Sequence, residues 1–235
     1  MRIILSLLVL LASFSASGDA LLVAAGAGYK KPLTEVSAAF TEASGIAVDG
    51  AFGNMQQVLA QVRHSGRVDL AVGEQGFLAK SGLFERFEPL GTGRLVLAYA
   101  GRRLAGYQAL ADPAAERIAL PDPKKAIYGI AATQFLTRSG LLPQVEDRLL
   151  TLATVPQVSA YLIAGTVDAG FINITDALGI AEKIAGFDEI PAALYDPPVI
   201  ALGFPKDRPT SAAAQAFADY LASPPARAIF SKHGL

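Results

Sequence analysis

The 235-residue sequence contains no cysteine, no tryptophan and only two histidines, His64 and His233. The absence of cysteine excludes disulfides, thiolate metal sites and a cysteine nucleophile. Two histidines give little basis for a multi-histidine metal centre or for a histidine-based catalytic triad. We therefore predict no metal site and no cofactor.

Charge is also scarce, because only 17% of the residues are charged and the formal net charge is -1. A diffuse basic surface is not expected, so we predict no nucleic-acid partner. Apolar residues make up 52% of the chain, which excludes the composition of a disordered protein. The length suits one large domain or two lobes.

The N-terminus has the pattern of a secretory signal. Arg2 precedes an apolar run over residues 3–12, and small residues follow as far as Gly18. The run is too short for a bilayer span, which takes about 20 residues. We predict that residues 1–19 are a signal peptide cleaved between Ala16 and Ala20, and that the rest is exported. An uncleaved anchor or a buried strand is the alternative.

The following residues alternate between apolar runs and helical periodicity. The run 20–25 ends at a glycine-rich loop, and short strands are predicted at 46–53 and 68–72, with helices between them. Three strands linked by helices predict a parallel α/β unit with right-handed crossovers.

A second α/β unit follows, and it sets the predicted lobe boundaries. We expect segments near Leu95–Ala100 and Val199–Gly203 to cross between two lobes joined as a hinged clamshell. Lobe 1 then contains 20–97 and 199–235, and lobe 2 contains 98–198. Ligands of such folds bind in the cleft, beyond the carboxyl ends of the strands.

Several segments, taken in order and spacing, resemble the periplasmic molybdate-binding protein family, a branch of the type II solute-binding proteins of ABC importers. They are the strand Val23-Ala24-Ala25-Gly26-Ala27, the loop Phe52-Gly53-Asn54-Met55, the strand Asp69-Leu70-Ala71-Val72, the loop from Asp122-Pro123 to Gly129-Ile130, the stretch from Val155 to Ala177, and the closing segment from Phe217 to Gly234.

The resemblance implies an α/β clamshell with mixed, mostly parallel sheets and flanking helices. It further implies a periplasmic monomer that is not an enzyme. Such a protein binds a molybdate- or tungstate-like oxyanion and delivers it to a membrane permease.

The family holds its tetrahedral oxyanion with two serines, backbone amides and a tyrosine hydroxyl. The resemblance places these positions as follows: first serine at Ala27 or Gly28, second serine at Asn54 or Met55, amides at Tyr128 and Val155, and tyrosine at Asn173. All three side-chain donors are thus replaced. A different small anion or a polar organic ligand stays open, because an Asn oxygen facing the cleft would accept a hydrogen bond from a donor on the ligand.

The residues themselves support part of this site. In the loop from Gly26 to Lys31, glycines let backbone amides approach a ligand, and Tyr29 offers a hydroxyl. Asn54 is alternatively explained as the N-cap of a helix. Four lysines near these loops either supply a cation or are solvated: Lys30, Lys31, Lys124 and Lys125.

An enzyme is the alternative class of function. A secreted hydrolase with a carboxylate in the cleft would fit a clamshell. No pattern of nucleophile, base and orienting residue supports it.

Overall fold

The first of two five-stranded sheets has the strand order β2-β1-β3-β10-β4 in the computed structural model, which describes residues 20–235. The predicted signal peptide, residues 1–19, lies outside the described residues. Strand β1 is parallel to β2 and β3, whereas β10 is antiparallel to β3 and β4. The strands are β1 Leu21–Gly26, β2 Val48–Gly53, β3 Leu70–Glu74, β4 Phe84–Thr92 and β10 Val199–Pro205.

The second sheet has the order β7-β6-β8-β5-β9 and the same mixed character. Strand β6 is parallel to β7 and β8, and β5 is antiparallel to β8 and β9. Its strands are β5 Leu95–Tyr99, β6 Ile118–Pro121, β7 Leu149–Leu152, β8 Ala169–Asn173 and β9 Gly186–Glu189. The predicted α/β fold with two mixed sheets and flanking helices is confirmed.

Helices connect most of the parallel strands, as the periodicity predicts. The C-terminal helices return to the first lobe and pack on α1, where the Phe40 ring lies 5.0 Å from that of Phe217. The helices are α1 Lys30–Ser44, α2 Met55–Ser65, α3 Gln75–Lys80, α4 Ile127–Arg138, α5 Leu142–Val145, α6 Val155–Ile163, α7 Ile174–Ile180, α8 Ala212–Leu221 and α9 Pro224–Lys232. No helix between residues 20 and 235 is long and apolar enough to cross a bilayer.

The first crossing between the sheets lies earlier than the predicted boundary at 97/98. Strand β5 belongs entirely to the second sheet, because its buried apolar run pairs with β8 on one side and β9 on the other. The chain therefore changes sheet at Gly93 and Arg94. The second crossing lies between β9 and β10, and the two crossings are joined where the Gly93 N–H donates to the Pro198 carbonyl at 2.8 Å.

Candidate functional site

A small cavity lies between the two lobes, where strands of both sheets end. The first lobe contributes residues 26–29 and 53–55, and the second lobe contributes 126–128 and 154–155. The space open to the centre of a water molecule is about 30 Å³. One bound water needs roughly 10–15 Å³ on this measure, so the cavity suits a ligand of a few heavy atoms.

Seven of the eight predicted site residues line this cavity, and the eighth lies behind it. The lining residues among them are Ala27, Gly28, Tyr29, Asn54, Met55, Tyr128 and Val155. Asn173 is not a lining residue. Its contacts are described below.

Three helices, α2, α4 and α6, begin at the cavity, and a 3-10 turn at Ala27–Tyr29 leads into α1. The first amides of a helix have no acceptor within it, and they carry partial positive charge. Within residues 20–235 the N–H groups of Ile127, Tyr128 and Val155 have no protein acceptor. These amides are therefore available to a ligand.

The Met55 N–H, in contrast, crosses between the lobes and donates to the Lys125 carbonyl at 3.1 Å. This bond brings the start of α2 against the loop that precedes α4. Met55 thus contributes to the cavity as a wall and to the contact between lobes.

Asn54 caps α2, as its alternative interpretation predicts. Its Oδ1 accepts from the Gln57 N–H at 3.0 Å, and Gln57 Oε1 accepts from the Asn54 N–H at 2.9 Å. This reciprocal pair is a capping box. The Asn54 acceptor oxygen is therefore engaged by the helix.

Thr154 is a lining residue that the sequence analysis missed. It is the N-cap of α6, where its Oγ1 accepts from the Gln157 N–H at 3.3 Å. The signal was present, because threonine directly before a Val-Pro pair at a helix start is a typical N-cap. Its hydroxyl hydrogen remains a donor at the cavity wall.

Two tyrosines, one from each lobe, meet at the cavity. The hydroxyl oxygens of Tyr29 and Tyr128 lie 2.7 Å apart, and the residues are 2% and 3% exposed. Burial is the main cause that raises the pKa of both hydroxyls above the ordinary tyrosine value, so both stay neutral donors. One of the two hydroxyl hydrogens forms the mutual bond, which leaves the other for a ligand.

Asn173 is fully buried at the end of β8. Its Nδ2 donates to the Gly28 carbonyl at 3.1 Å, and its Oδ1 accepts from the Asp176 N–H at 3.2 Å, which caps α7. The two Asn oxygens at the site, those of Asn54 and Asn173, therefore both cap helices. Both oxygens that would accept from a donor on the ligand are thus already engaged by helix N–H groups.

No charged side chain lines the cavity within the described chain. Lys30 and Lys31 are exposed on α1, with Lys30 Nζ 5.9 Å from the Phe52 ring centre. Lys124 is exposed, and Lys125 pairs with Asp122 at 3.3 Å. The hypothesis that one of these lysines supplies a cation to the cavity is therefore wrong, because all four side chains lie outside it.

Two lobes that meet over a small cavity lined by neutral donors define a bilobal ligand-binding protein. The chain belongs to the bacterial extracellular solute-binding protein family, whose sequence profile matches residues 21–235.

Proteins similar to this chain include named molybdate-binding and ABC transporter substrate-binding proteins. The molybdate-binding protein ModA of Rhodobacter capsulatus is 29% identical over 98% of this chain and 93% of its own. YvgL of Bacillus subtilis, described as an ABC transporter substrate-binding lipoprotein, is 36% identical over 51% of this chain and 45% of its own. The structure of the periplasmic molybdate-binding protein of Azotobacter vinelandii superposes with a TM-score of 0.83 at 27% identity, covering 91% of this chain and 97% of that one. The family resemblance predicted from the sequence is confirmed.

Proposed function

We propose that this protein binds a compact, fully deprotonated oxyanion of the molybdate or tungstate type between its lobes. It delivers this ligand, as a periplasmic monomer, to the permease of an ABC importer. The observation that carries the proposal is a cavity that offers hydrogen-bond donors while its Asn acceptors are engaged elsewhere.

The chemistry of the cavity fits such a ligand. A tetrahedral dianion presents four oxygens that only accept. The free amides at the starts of α4 and α6 and one tyrosine hydroxyl only donate to it. In a buried site each such bond is stronger than in water, so neutral donors hold the dianion without a paired cation.

The same arrangement discriminates against phosphate. Inorganic phosphate keeps at least one proton at neutral pH, and that proton needs an acceptor. Both Asn oxygens already cap helices, so neither is free to accept a hydrogen bond from that proton. An unpaired donor costs about 1–3 kcal/mol, which is roughly 5- to 150-fold in affinity.

The relatives support the transport role. Two of them are named as molybdate-binding proteins, and the Bacillus subtilis relative is named as the binding component of an ABC transporter. A hydrolase with a carboxylate in the cleft has less support, because no Asp or Glu lines the cavity of the described chain. The buried pair Ser159 and Asp176 lies outside the lining residues.

A thermal-shift screen of the chain without residues 1–19 tests the proposal. The ligands are molybdate, tungstate, sulfate, phosphate and small carboxylates at equal concentration and pH. At about 100 times its dissociation constant a ligand adds about 2.7 kcal/mol of stability, or roughly 5–11 °C in Tm for a chain of this size. We expect molybdate and tungstate to give the largest shifts. A larger shift with a carboxylate than with any oxyanion would contradict the proposal.

A further inference from the structure

Gly93, in the first crossing between the lobes, lies directly against the hydroxyl of Tyr128. A Cβ built on Gly93 would overlap the Tyr128 Oη, and would lie 3.2 Å from Tyr128 Cζ and 3.0 Å from Pro198 Cγ. Gly93 is not one of the glycines with positive φ. Glycine is therefore required at this position because a Cβ has no space there, and not because of the backbone conformation.

Both neighbours of Gly93 are held by contacts of their own. Pro198 lies on the second crossing, and its carbonyl accepts from the Gly93 N–H. The Tyr128 ring is buried, and its hydroxyl is bonded to that of Tyr29. The Tyr128 hydroxyl thus contacts Gly93 in the first crossing and Tyr29 in the first lobe, although its ring belongs to the second lobe.

We propose that Gly93 is a positioning residue for the ligand site. By leaving space at the hinge, it seats the Tyr128 hydroxyl where that group both bonds Tyr29 and faces the cavity. A side chain at residue 93 displaces the hydroxyl, breaks the bond between the tyrosines and separates the lobes at the cavity. As far as ligand affinity is the readout, this inference rests on the proposed function.

The central test is a rescue experiment with calorimetric titration of molybdate. Overpacking costs about 1–3 kcal/mol, so Gly93→Ala should weaken binding roughly 5- to 150-fold. Tyr128→Phe removes the one atom that the new methyl group overlaps. The double variant Gly93→Ala/Tyr128→Phe should therefore bind as Tyr128→Phe does alone, within about threefold.

Gly101→Ala is the matched control. Gly101 also lacks a positive φ, and a Cβ there meets nothing within 4 Å. We expect it to bind like the wild type. If the fold-losses of affinity in the two single variants instead multiply in the double variant, Gly93 acts independently of Tyr128. That result would overturn the inference.

Unfolding without ligand separates this inference from the proposed function. Gly93→Ala should lower Tm, and the added Tyr128→Phe should return Tm to the value of Tyr128→Phe alone. If no oxyanion binds the wild type, the proposed function fails. The non-additive pattern in Tm would still support the positioning role of Gly93. Additive changes in Tm contradict it in either case.

Discussion

The side-chain amide of Asn173, in the second lobe, donates to the carbonyl of Gly28, 3.1 Å away in the first lobe. Gly28 lines the cavity, so this bond holds one wall of the site in place from behind. The same side chain caps α7 through the Asp176 N–H. Asn173 thus joins the two lobes and fixes a helix start with a single amide.

Asn173→Ala should lower both stability and ligand affinity. Loss of the cap costs about 1 kcal/mol, and release of the Gly28 loop should weaken oxyanion binding by about tenfold. Calorimetry and thermal unfolding measure the two effects. Ser211→Ala is the control, because Ser211 caps α8 through the Ala214 N–H, away from the cavity. It should lose stability but keep its affinity. Equal affinity in both variants would show that the Asn173 contact with Gly28 does not shape the site.

Tyr29→Phe should weaken oxyanion binding without unfolding the protein. The change removes one hydroxyl and leaves the ring packing, so the loss of one buried hydrogen bond predicts about 0.5–1.5 kcal/mol, or roughly 2- to 13-fold in affinity. Tyr99→Phe is the matched control. The Tyr99 hydroxyl donates to Asp188 at 2.9 Å in the second sheet, outside the cavity. A loss of affinity in Tyr99→Phe that equals the loss in Tyr29→Phe would contradict a specific role for the tyrosine pair.

Removal of the lysine charges near the site should leave affinity nearly unchanged. We expect the triple variant Lys30→Ala/Lys124→Ala/Lys125→Ala to bind within about threefold of the wild type, because exposed charges outside the cavity are screened by salt. The Lys125 carbonyl that accepts from Met55 belongs to the backbone and is retained. Titrations at low and high ionic strength check the prediction. A steep salt dependence that disappears in the variant would restore the lysines as charge partners.

Asp176→Asn should stabilise the protein at neutral pH. Burial raises the pKa of Asp176 above its ordinary value, against smaller opposing effects of Ser159 and Lys31. The folded state therefore binds the proton more tightly than the unfolded state, so the wild type loses stability as pH rises through the folded pKa. Asparagine removes this loss and still accepts from Ser159.

Unfolding between acid and neutral pH measures the Asp176 effect. The variant should gain stability at pH 7, and the gain should shrink as the pH falls toward the ordinary Asp pKa of about 4. Destabilisation at pH 7 would show instead that ionised Asp176 is stabilised by Lys31.

The sequence allowed the fold and most of the cavity loops to be predicted, because both follow from local patterns. Buried apolar strands, helix periodicity and loops such as 26–29 are readable along the chain. The roles of individual side chains were not readable. Asn173 follows a strand at a ligand position of the family, yet its amide is engaged by Gly28, which is 145 residues away in sequence.

The hinge illustrates the same limit. Gly93 reads as a turn glycine beside a strand, and only the packing of Tyr128 from α4 shows why a side chain does not fit. The chain crosses between the sheets at Gly93 and Arg94, before the predicted boundary at 97/98, for a related reason. The pairing of β5 with β8 and β9 depends on contacts between residues far apart in sequence, which an apolar run alone does not reveal.

Val155 offers the most direct test that backbone amides hold the ligand. Its N–H, the first of α6, has no protein acceptor among residues 20–235. Proline is favoured at the first helical position, and Thr154 already has the extended conformation that a following proline requires. Val155→Pro therefore removes this donor with little change in the backbone, and Val155→Ala controls for the lost side chain.

Calorimetric titration of molybdate into the wild type, Val155→Ala and Val155→Pro is the decisive measurement. A hydrogen bond to a charged group contributes about 1.5–3 kcal/mol, so Val155→Pro should bind roughly 10- to 150-fold more weakly than Val155→Ala, with similar Tm. Equal affinities of these two variants, or no binding by the wild type, would contradict an oxyanion site built from helix N-terminal amides.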